Sequence, residues 1–429
     1  MASAPTQVRI RSYNVGFGDC FLLTFSYARA KPRNILIDFG STKQSATGPP
    51  GEMLEIAERI REDCEGKLQM LVATHRHADH ISGFAGKPGA VIASLDPDLV
   101  VQPWTEDPDL APDAKAPAGA DGGGAHLARV VASRLSAMQA LAEAALAEVP
   151  KLRASTAVPE TVVDQIHFLG ETNLANAESV RNLATMGGNH VYANFGTKLA
   201  LGGLLPGIRV DVLGPPTLEQ SSAISHQVAT SEEEFWHLAA RELGAEDGGG
   251  AEIFAGAATT RRFPQEARWL IPRVDQMRGE ETLAIVRSLD GVLNNTSVIL
   301  LFEIGGSRLV FPGDAQLENW SYALHECDDA AAIRERLAGA RFYKVGHHGS
   351  LNATPKSLWN GFEHRDAKPS PERLTTMVST AAGKHGSTAR GTEVPRKVLI
   401  EELTEMSDLH NTQSLKDRDV FWNDVELAL

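Results

Sequence analysis

The amino-acid sequence predicts a mixed α/β fold in which helices cover layered sheets. The prediction rests first on the alternation of short β-type runs with helical patterns along most of the chain. It rests second on composition, because 429 residues that are 42% hydrophobic and 22% charged can bury one large core or two ordinary ones. No stretch approaches the roughly 20 consecutive apolar residues that a membrane-spanning helix needs. We therefore expect no membrane association.

The first part of the chain already shows this alternation. Turn residues such as Gly16 and Gly40 separate or end three strand-like runs within residues 8–40, namely VRIRSYNVG, FLLTFSY and NILIDFG. A helical pattern follows at about 52–62. The apolar run LQMLVAT at 68–74 then predicts a further strand. Later runs with the same character are DLVVQP, IRVDVLG, SVILLFEIG, RLVFPG, RFYKVG and TTMVST.

Two stretches interrupt the alternation, at about 105–195 and 217–293. The first contains a Gly-rich loop at 121–124 and the helical pattern HLARVVASRLSAMQALAEAALAEV, and the second contains an acidic run at 232–234 and a Gly-rich loop at 248–250. Neither loop has the strand-to-helix context of a phosphate-binding loop, so we interpret both as surface connections. We interpret residues 1–429 as a single domain with two insertions. The long helix packs internally or forms a dimer face, so the insertions can serve a homo-oligomer or a protein partner.

Charge and cysteine content bear on the class of protein. The chain has 41 Lys and Arg against 55 Asp and Glu, a net charge of −14, which argues against broad, salt-driven adhesion to nucleic acid. Cys20, Cys64 and Cys327 are too few and too widely separated for a disulfide framework or a C-x-x-C zinc site. The amino terminus enters a strand pattern without the apolar run of a secretory signal. We expect an intracellular, cytoplasmic protein.

The densest chemical signal follows the run at 68–74, where His75, His77, Asp79 and His80 lie within six residues. On an extended segment, side chains at i and i+2 point the same way, so His75 and His77 can bind one metal together. A turn into a helix redirects Asp79 and His80 toward a neighbouring position. These groups are hard to satisfy together beyond a buried strand without a cation. The pattern predicts metal binding rather than ordinary surface polarity.

Two later strand ends carry residues of the same kind. Asp314 follows the run RLVFPG, where Gly313 permits a tight turn, and we expect this carboxylate to bridge two cations. His347 and His348 follow the run RFYKVG. Adjacent side chains diverge, so one of the two is expected to bind metal while its neighbour meets substrate or supports the site. The sequence leaves open which one does so.

These residues resemble the metallo-β-lactamase fold superfamily, whose H-x-H-x-D-H loop matches His75 to His80. Within it, the chain most resembles the hydrolase domain of the ComEC/Rec2 competence proteins and their free-standing relatives. The segments NVGFGD at 14–19, IDFG at 37–40 and NTS at 295–297 resemble that group's D-V-G-Q-G-D, I-D-x-G and N-x-S. The segment FPGD at 311–314 resembles its T-G-D, and HHGS at 347–350 matches its H-H-G-S. The blocks lie in the expected order across most of the chain.

The resemblance implies a four-layer αββα sandwich with the metal at one sheet edge. It also implies that Asp19 and Asp38 support the site rather than bind metal; a turn aspartate that caps backbone amides is an equal alternative. The chain departs from the group at Asn14 and Phe17, where Asp and Gln are usual. The stretch LNNT at 293–296 lacks a metal-binding His that many superfamily members carry. The histidines that can fold back to replace it are His190, His226 and His237.

The predicted activity is hydrolysis with two divalent metal ions, Zn or Mn. Such ions lower the pKa of coordinated water from about 15.7 toward neutrality and so generate hydroxide. We expect Asp79 and Asp314 to orient the hydroxide and accept its proton, and His348 to complete the catalytic set. No Ser/His/Asp triad or nucleophilic Cys motif competes with this prediction.

The preferred substrate is a phosphodiester, in nucleic acid or in a smaller nucleotide. The alternatives are a metallohydrolase of a lactone, thioester or lactam, and a non-catalytic binding module with a structural metal. The resemblance places certain loops around the metal site, and the candidate substrate contacts in or near these loops are Ser350, Asn352, Lys384 and His385, with Lys344 beside them. An Arg-rich segment interleaved with Phe263 and Trp269 can bind phosphates and stack on bases, or it can form a solvated or partner-facing helix. Its arginines are Arg261, Arg262, Arg268, Arg273 and Arg278.

Overall fold

The structure, a computed structural model of the chain, confirms a mixed α/β fold built on two sheets. It describes residues 4–42, 45, 52–108, 110, 114–117, 144–155, 157–173, 177–225, 234, 270–381, 393–415 and 420–429. Among these residues, no helix has both the length and the apolar character needed to cross a membrane.

The strands of the first sheet follow the order β13-β1-β2-β3-β4-β5-β6. They are β1 (Gln7–Tyr13), β2 (Cys20–Tyr27), β3 (Ala30–Phe39), β4 (Met70–Val72), β5 (Leu99–Pro103), β6 (His190–Ala193) and β13 (Trp422–Ala428). The strands β13, β1, β2 and β3 pair antiparallel, whereas β3 to β6 pair in parallel. The first four strands predicted from the sequence are confirmed.

The strands of the second sheet follow the order β12-β11-β10-β9-β8-β7. They are β7 (Ile208–Gly214), β8 (Ile299–Ile304), β9 (Ser307–Phe311), β10 (Phe342–Lys344), β11 (Thr375–Val378) and β12 (Asp408–Asn411). Here β7, β8 and β9 pair antiparallel, and β9 to β12 pair in parallel. Each sheet therefore has a parallel half whose strands end at the same edge.

The helices lie mainly between strands of the parallel halves. They are α1 (Glu52–Asp63), α2 (Ala78–Ile81), α3 (Gly86–Ala93), α4 (Glu160–Asn173), α5 (Ala177–Thr185), α6 (Leu270–Asn294), α7 (Leu317–Ser321), α8 (Ala330–Ala338), α9 (Lys356–Gly361) and α10 (Lys397–Met406). The predicted helix at 52–62 is confirmed as α1, which buries Ile56, Ala57 and Ile60. This i, i+1, i+4 spacing gives the helix one apolar face.

The main core lies between the two sheets. One continuous cluster joins side chains from β1 to β5 with side chains from β7 to β11. Phe21 of the first sheet meets Phe311 of the second edge-on, with ring centroids 5.9 Å apart. A second cluster packs α1, α3 and α5 against the outer face of the first sheet. A third packs helices that include α7, α8 and α10 against the outer face of the second.

Several sequence features fall in or beside the two stretches interpreted as insertions. Strand β6 lies inside 105–195 yet pairs with β5, so the first sheet continues into that stretch. Helix α6 lies almost wholly inside 217–293, and its Leu283 packs with Val163 and Ile166 of α4. The Gly-rich loops and most of the long helix at 126–149 lie outside the described residues; its last part, from 144, is helical. Strands β12 and β13 were not predicted.

Candidate metal centre

Polar side chains from four strand ends meet at the edge shared by the two parallel halves. Asp38 lies near the end of β3, and the 74–80 segment follows β4. In the second sheet, Asp314 follows β9 and His348 follows β10. The carboxyl ends of parallel strands form the usual binding edge of open α/β sheets. Residues more than 200 positions apart are thereby brought into one cluster.

Four side chains form the centre of the cluster: Asp79, His80, Asp314 and His348. One ligand atom of each lies within 4.8 Å of those of the others, and all four residues are buried. His80 Nε2 lies 3.0 Å from Asp314 Oδ2. His348 Nε2 lies 3.2 Å from Asp79 Oδ2 and 3.8 Å from Asp314 Oδ2. The structure therefore brings together ligand candidates that the sequence placed on three separate segments.

The donor set fits a divalent cation. Asp79 Oδ1, His80 Nε2 and Asp314 Oδ2 are buried without an aligned hydrogen bond from any residue the structure describes. Buried polar atoms left in this way are costly. Two imidazoles and two carboxylates are ligands that Zn and Mn accept. A cation among these atoms satisfies them together.

Asp38 orients the central imidazole. Its Oδ1 accepts a hydrogen bond from the Thr74 backbone N–H at 2.7 Å, and its Oδ2 accepts one from Thr74 Oγ1 at 2.7 Å. His80 Nδ1 lies 2.8 Å from the same Oδ2. A proton on Nδ1 points at Asp38 and leaves Nε2 facing Asp314, the tautomer that a metal ligand needs. Asp38 thus accepts a backbone amide, as the capping alternative expects, and also orients His80, as the supporting role expects.

Charge is balanced inside the centre by neighbouring groups. Burial opposes the charge on His80, but the carboxylates of Asp314 and Asp38 outweigh burial and raise its pKa well above the ordinary value. Burial likewise opposes ionisation of Asp79, yet the hydrogen bond with His348 and the charge of His80 lower its pKa. The pKa of Asp314 is also lowered, because His80, His347 and Lys344 outweigh its burial. The two central carboxylates are therefore held ionised.

A second potential ligand group, formed by Asp19, Asp38 and His80, already has a protein cation beside it, although both Asp19 oxygens lack an aligned hydrogen bond from the described residues. The Lys344 ammonium forms an ion pair with Asp19 and donates a hydrogen bond to the Gly313 carbonyl at 3.0 Å. Lys344 is 2% exposed, and the carboxylates raise its pKa although burial opposes the charge. The Lys344–Asp19 ion pair therefore lies directly behind the centre, next to the supporting position that the resemblance implies for Asp19 and Asp38. Lys344 contributes charge from within the core.

His75 and His77 lie beside the central four. His75 Nε2 and His77 Nδ1 are 3.0 Å apart, as expected for side chains on the same side of an extended segment. His75 also lies against His80, with ring centroids 4.2 Å apart. Burial and the charges of His80 and His77 lower the pKa of His75 well below its ordinary value. A neutral imidazole of this kind is a competent metal ligand.

One carboxylate near these histidines was not predicted. Asp290, in the last turn of α6, places Oδ1 3.8 Å from His77 Nε2. Its Oδ2 accepts a hydrogen bond from Asn294 Nδ2 at 3.1 Å. Burial raises the pKa of Asp290, although the charges of His77 and His347 oppose the shift. No sequence motif surrounds Asp290. Its only sequence signal is the i, i+4 spacing from Asn294, which places the two side chains on the same face of a helix.

The structure separates the roles of His347 and His348. Both adopt left-handed backbone conformations, with φ of 42° and 52°, which are uncommon for residues other than glycine. His348 is fully buried, and its Nδ1 lies 2.8 Å from the Ser379 carbonyl, so Nε2 is directed at Asp79. The His347 side chain is 24% exposed. His347 Nε2 is also 3.8 Å from Asp314 Oδ2, but burial and the contact with Asp79 favour His348 as the ligand and leave His347 as the more exposed of the two.

The remaining candidates are less informative. Ser350 donates to Asn352 Oδ1 at 3.4 Å, and both side chains are buried on the turn after His348. His190 lies in β6, stacked on Tyr192 and outside the ligand groups found among the described residues. Arg278 is exposed on α6 and paired with Glu148. The candidates outside the described residues are Lys384, His385, His226, His237, Arg261, Arg262, Phe263, Arg268 and Trp269.

Close backbone contacts fix the position of the metal-binding segment. The Asp19 N–H donates to the Asp79 carbonyl at 2.9 Å. A Cβ on Gly40 would lie 2.5 Å from backbone atoms of Asp79 and His80, so only glycine permits this approach. Phe17 packs on the His348 ring at 4.4 Å between centroids. Phe17 thus places an apolar ring against His348 at the position where the ComEC/Rec2-like motif carries Gln.

A surface cavity of about 380 Å³ lies at the opposite end of the first sheet, lined by residues that include Arg9, Thr24 and Asn34. It shares no residue with the metal-binding cluster.

Comparison with known proteins found no matching protein-family model and no matching curated protein.

Proposed function

We propose that the protein is a metal-dependent hydrolase that cleaves phosphodiesters, as a nuclease or a phosphodiesterase. The observation that carries the proposal is the convergence of Asp79, His80, Asp314 and His348 into one buried group with unsatisfied ligand atoms. We also propose the finer fold, a four-layer αββα sandwich of the metallo-β-lactamase type related to the ComEC/Rec2 hydrolase domain. Its support is the core between the sheets, the helical clusters on both outer faces and the order of the sequence blocks.

The residues of the central group are the proposed ligands of the first cation. When bound, a divalent ion supplies Lewis acidity and lowers the pKa of water toward neutrality. Asp38 and the Ser379 carbonyl hold the two imidazoles with Nε2 directed inward. Asp79 Oδ1, buried and lacking an aligned hydrogen bond from the described residues, can accept a hydrogen bond from the attacking water and so orient it. His347 is the residue proposed to meet the substrate, because it is the more exposed of the two adjacent histidines.

A phosphodiester suits the charge of the centre. The phosphoryl group carries negative charge, and a cation held by Asp79, His80, Asp314 and His348 would supply positive charge there, with Lys344 behind it. The net charge of −14 does not favour a broad nucleic-acid surface. We therefore propose recognition of a short stretch of nucleic acid or of a small nucleotide at the edge of the sheets.

The test is metal-restored hydrolysis by the purified full chain. After chelation, Mn or Zn is returned, and single-stranded DNA, RNA, cyclic dinucleotides and a chromogenic phosphodiester are compared with a lactone, a thioester and a lactam. Asp314→Asn is expected to reduce turnover of a phosphodiester about 100-fold or more, because metal-assisted charge stabilisation supplies several kcal/mol. Asp328→Asn, at an exposed position in the turn before α8, serves as the matched control.

Three results speak against the proposal. Turnover of the ester or lactam with no cleavage of phosphodiesters indicates the second class of metallohydrolase. Metal binding without any turnover indicates a binding module. Unchanged turnover in folded Asp314→Asn removes the central group from the reaction.

A further inference from the structure

A row of three polar side chains crosses adjacent strands of the first sheet, at the end of the strands away from the metal centre. Arg9 of β1 lies directly opposite Thr24 of β2, and Thr24 lies directly opposite Asn34 of β3. Side chains that face each other across antiparallel strands have Cβ atoms about 4.5–5.5 Å apart. Leu22 and Leu36, two residues along β2 and β3, pack in the cluster on the outer face of the sheet. Because side chains alternate in direction along a strand, the polar row lies on this outer face too.

The row forms part of the wall of the surface cavity of about 380 Å³. Helix α1 covers the outer face and ends at Asp63, and both Asp63 and Cys64 line the same cavity. The cavity therefore begins where the helical cover stops. Its volume lies within the usual range of small-molecule sites, about 300–1,000 Å³.

Each member of the row has a polar atom without a partner in the described part of the chain. Thr24 is 8% exposed and Asn34 is 4% exposed, yet Thr24 Oγ1 and Asn34 Oδ1 lack an aligned hydrogen bond, and so does the buried Nε of Arg9. The orientation of the Asn34 amide is fixed, because its Nδ2 donates to the carbonyls of Cys64 and Lys67 at 3.3 and 3.2 Å. Buried polar atoms in this condition are costly unless a partner binds them.

The charges around the cavity favour an anionic ligand. Four basic residues and three acidic residues line it. Asp63 and Lys67 are already paired, with Arg11 and Asp98 respectively. Three basic residues then remain against two acidic ones. The basic lining residues are Arg9, Lys31, Arg33 and Lys67, and the acidic ones are Asp63, Glu65 and Glu426.

The row offers the donors and the acceptor in a fixed order. Glu426 lies opposite Arg9 on β13, but its Oε2 accepts a hydrogen bond from Gln7 Nε2 at 2.9 Å, and Arg9 forms no ion pair among the described residues. The planar guanidinium can bind two oxygens of a phosphate. Thr24 Oγ1, one strand away, can donate to a third oxygen. Asn34 Oδ1, one strand further, can only accept, so it needs an O–H or N–H group of the ligand.

We propose that this cavity binds a hydroxylated phosphate monoester, either a free sugar phosphate or the sugar–phosphate unit of a nucleotide. Arg9 and Thr24 bind the phosphate, and Asn34 Oδ1 accepts a hydrogen bond from a sugar hydroxyl. A phosphate ester suits the site better than a carboxylate does, because it has three terminal oxygens and about −1.5 to −2 charge at pH 7. No residue of the metal centre takes part, so this site stands or falls independently of the proposed hydrolysis.

The experiment is calorimetric titration of the full chain, freed of metal so that phosphate cannot bind to a cation in the centre. The probes are ribose 5-phosphate, inorganic phosphate, ribose and adenosine monophosphate. Ribose 5-phosphate is expected to bind more tightly than inorganic phosphate, because only the ester brings a hydroxyl to Asn34, and ribose alone is expected not to bind. Tighter binding of adenosine monophosphate than of ribose 5-phosphate identifies a nucleotide as the source of the sugar phosphate, and the reverse order identifies the free sugar phosphate.

Two variants test the row itself. Arg9→Gln and Thr24→Val are each expected to weaken the binding of ribose 5-phosphate about 10-fold or more, because each loses a hydrogen bond to a charged group. Ligand-free Thr24→Val is expected to be at least as stable toward urea as the wild type, because the lost hydroxyl has no partner. The matched control is Arg29→Gln, which removes an exposed charge from the turn between β2 and β3 and is expected to bind as the wild type does.

The proposal is overturned if the wild type does not bind ribose 5-phosphate, if inorganic phosphate binds as tightly as the ester, or if both variants bind the ester with unchanged affinity. A loss of stability in Thr24→Val with unchanged binding assigns the hydroxyl to the fold and also overturns it. Should the variants fail to fold, wild-type crystals soaked in ribose 5-phosphate decide the question. Phosphate density between Arg9 and Thr24 supports the site, and an empty cavity overturns it.

Discussion

Replacing Asp38 by asparagine tests whether the metal centre depends on the carboxylate behind His80. Asparagine keeps the shape of the side chain but exchanges one acceptor oxygen for an NH₂ group. In the native protein both oxygens accept, from the Thr74 N–H and hydroxyl and from His80 Nδ1, all between 2.7 and 2.8 Å. If the NH₂ group takes the Oδ1 position, it faces the Thr74 N–H. If it takes the Oδ2 position, it faces His80 Nδ1 and favours the tautomer with the proton on Nε2.

Either orientation has a predictable effect. A buried donor without its acceptor costs about 1–3 kcal/mol of stability. A proton on His80 Nε2 points at Asp314 and blocks the nitrogen that the metal needs. Loss of such a supporting partner typically lowers metal affinity about 10–100-fold, which corresponds to about 1.4–2.8 kcal/mol at ~1.4 kcal/mol per factor of ten.

Calorimetric titration with Zn²⁺ measures the affinity, and urea unfolding of the metal-free protein measures the stability. Asp96→Asn is the matched control, because the Asp96 side chain is 81% exposed. If folded Asp38→Asn binds Zn²⁺ with the affinity of the wild type, Asp38 does not orient a ligand, and the argument from tautomers is wrong.

Two further predictions concern the support of the site and the edge of the first sheet. Gly40→Ala is expected to lower the free energy of unfolding by about 1–3 kcal/mol and to weaken metal binding, because its Cβ meets the backbone of the metal-binding segment. The control Gly202→Ala, whose Cβ has open space, is expected to change neither quantity. Equal urea-unfolding midpoints for the two variants contradict the expected effect of Gly40→Ala. Burial opposes ionisation of Asp63, but hydrogen bonds from Tyr13 and the charges of Arg11 and Arg59 lower its pKa. Its contribution is present above the unfolded carboxyl pKa of about 3.9 and is lost as pH falls through the lower folded value. Asp63→Asn is therefore expected to lose about 1.5–3 kcal/mol at pH 7 and much less near pH 2, and a urea-unfolding difference that is equal at both pH values refutes the assignment.

The sequence predicts those parts of the structure whose signals are local. The alternation in the first strands and the apolar face of α1 come from periodicity, so neighbouring residues carry enough information. The 75–80 segment was identifiable because ligand-type residues crowd a short stretch after a strand. Strand β6 was placed in an insertion because its four residues are ordinary on their own, and only pairing with β5 makes them part of the sheet.

The site residues that the sequence did not predict act through long-range geometry. Ser379 supports His348 with a backbone carbonyl, a group that every residue carries, so its side chain gives no signal. Asp290 reaches His77 because α6 ends at the sheet edge, and the direction of a helix that enters from a long insertion is not encoded near its last turn. His347 and His348 differ in burial in the folded protein. The sequence has two identical residues side by side, so it carries no signal that tells which one is buried.

The centre also joins the two sheets. Asp79 and His80 follow a strand of the first sheet, whereas Asp314 and His348 follow strands of the second. The hydrogen bond from Ser379 Oγ to the Gly18 carbonyl, 2.6 Å long, and the Lys344–Asp19 ion pair cross the same boundary. A cation bound by ligands from both sheets stabilises their packing by mass action, about 2.7 kcal/mol when its free concentration is 100 times the dissociation constant. Because the ligands are distant along the chain, the unfolded protein cannot assemble them, and the binding energy therefore contributes to the folded arrangement.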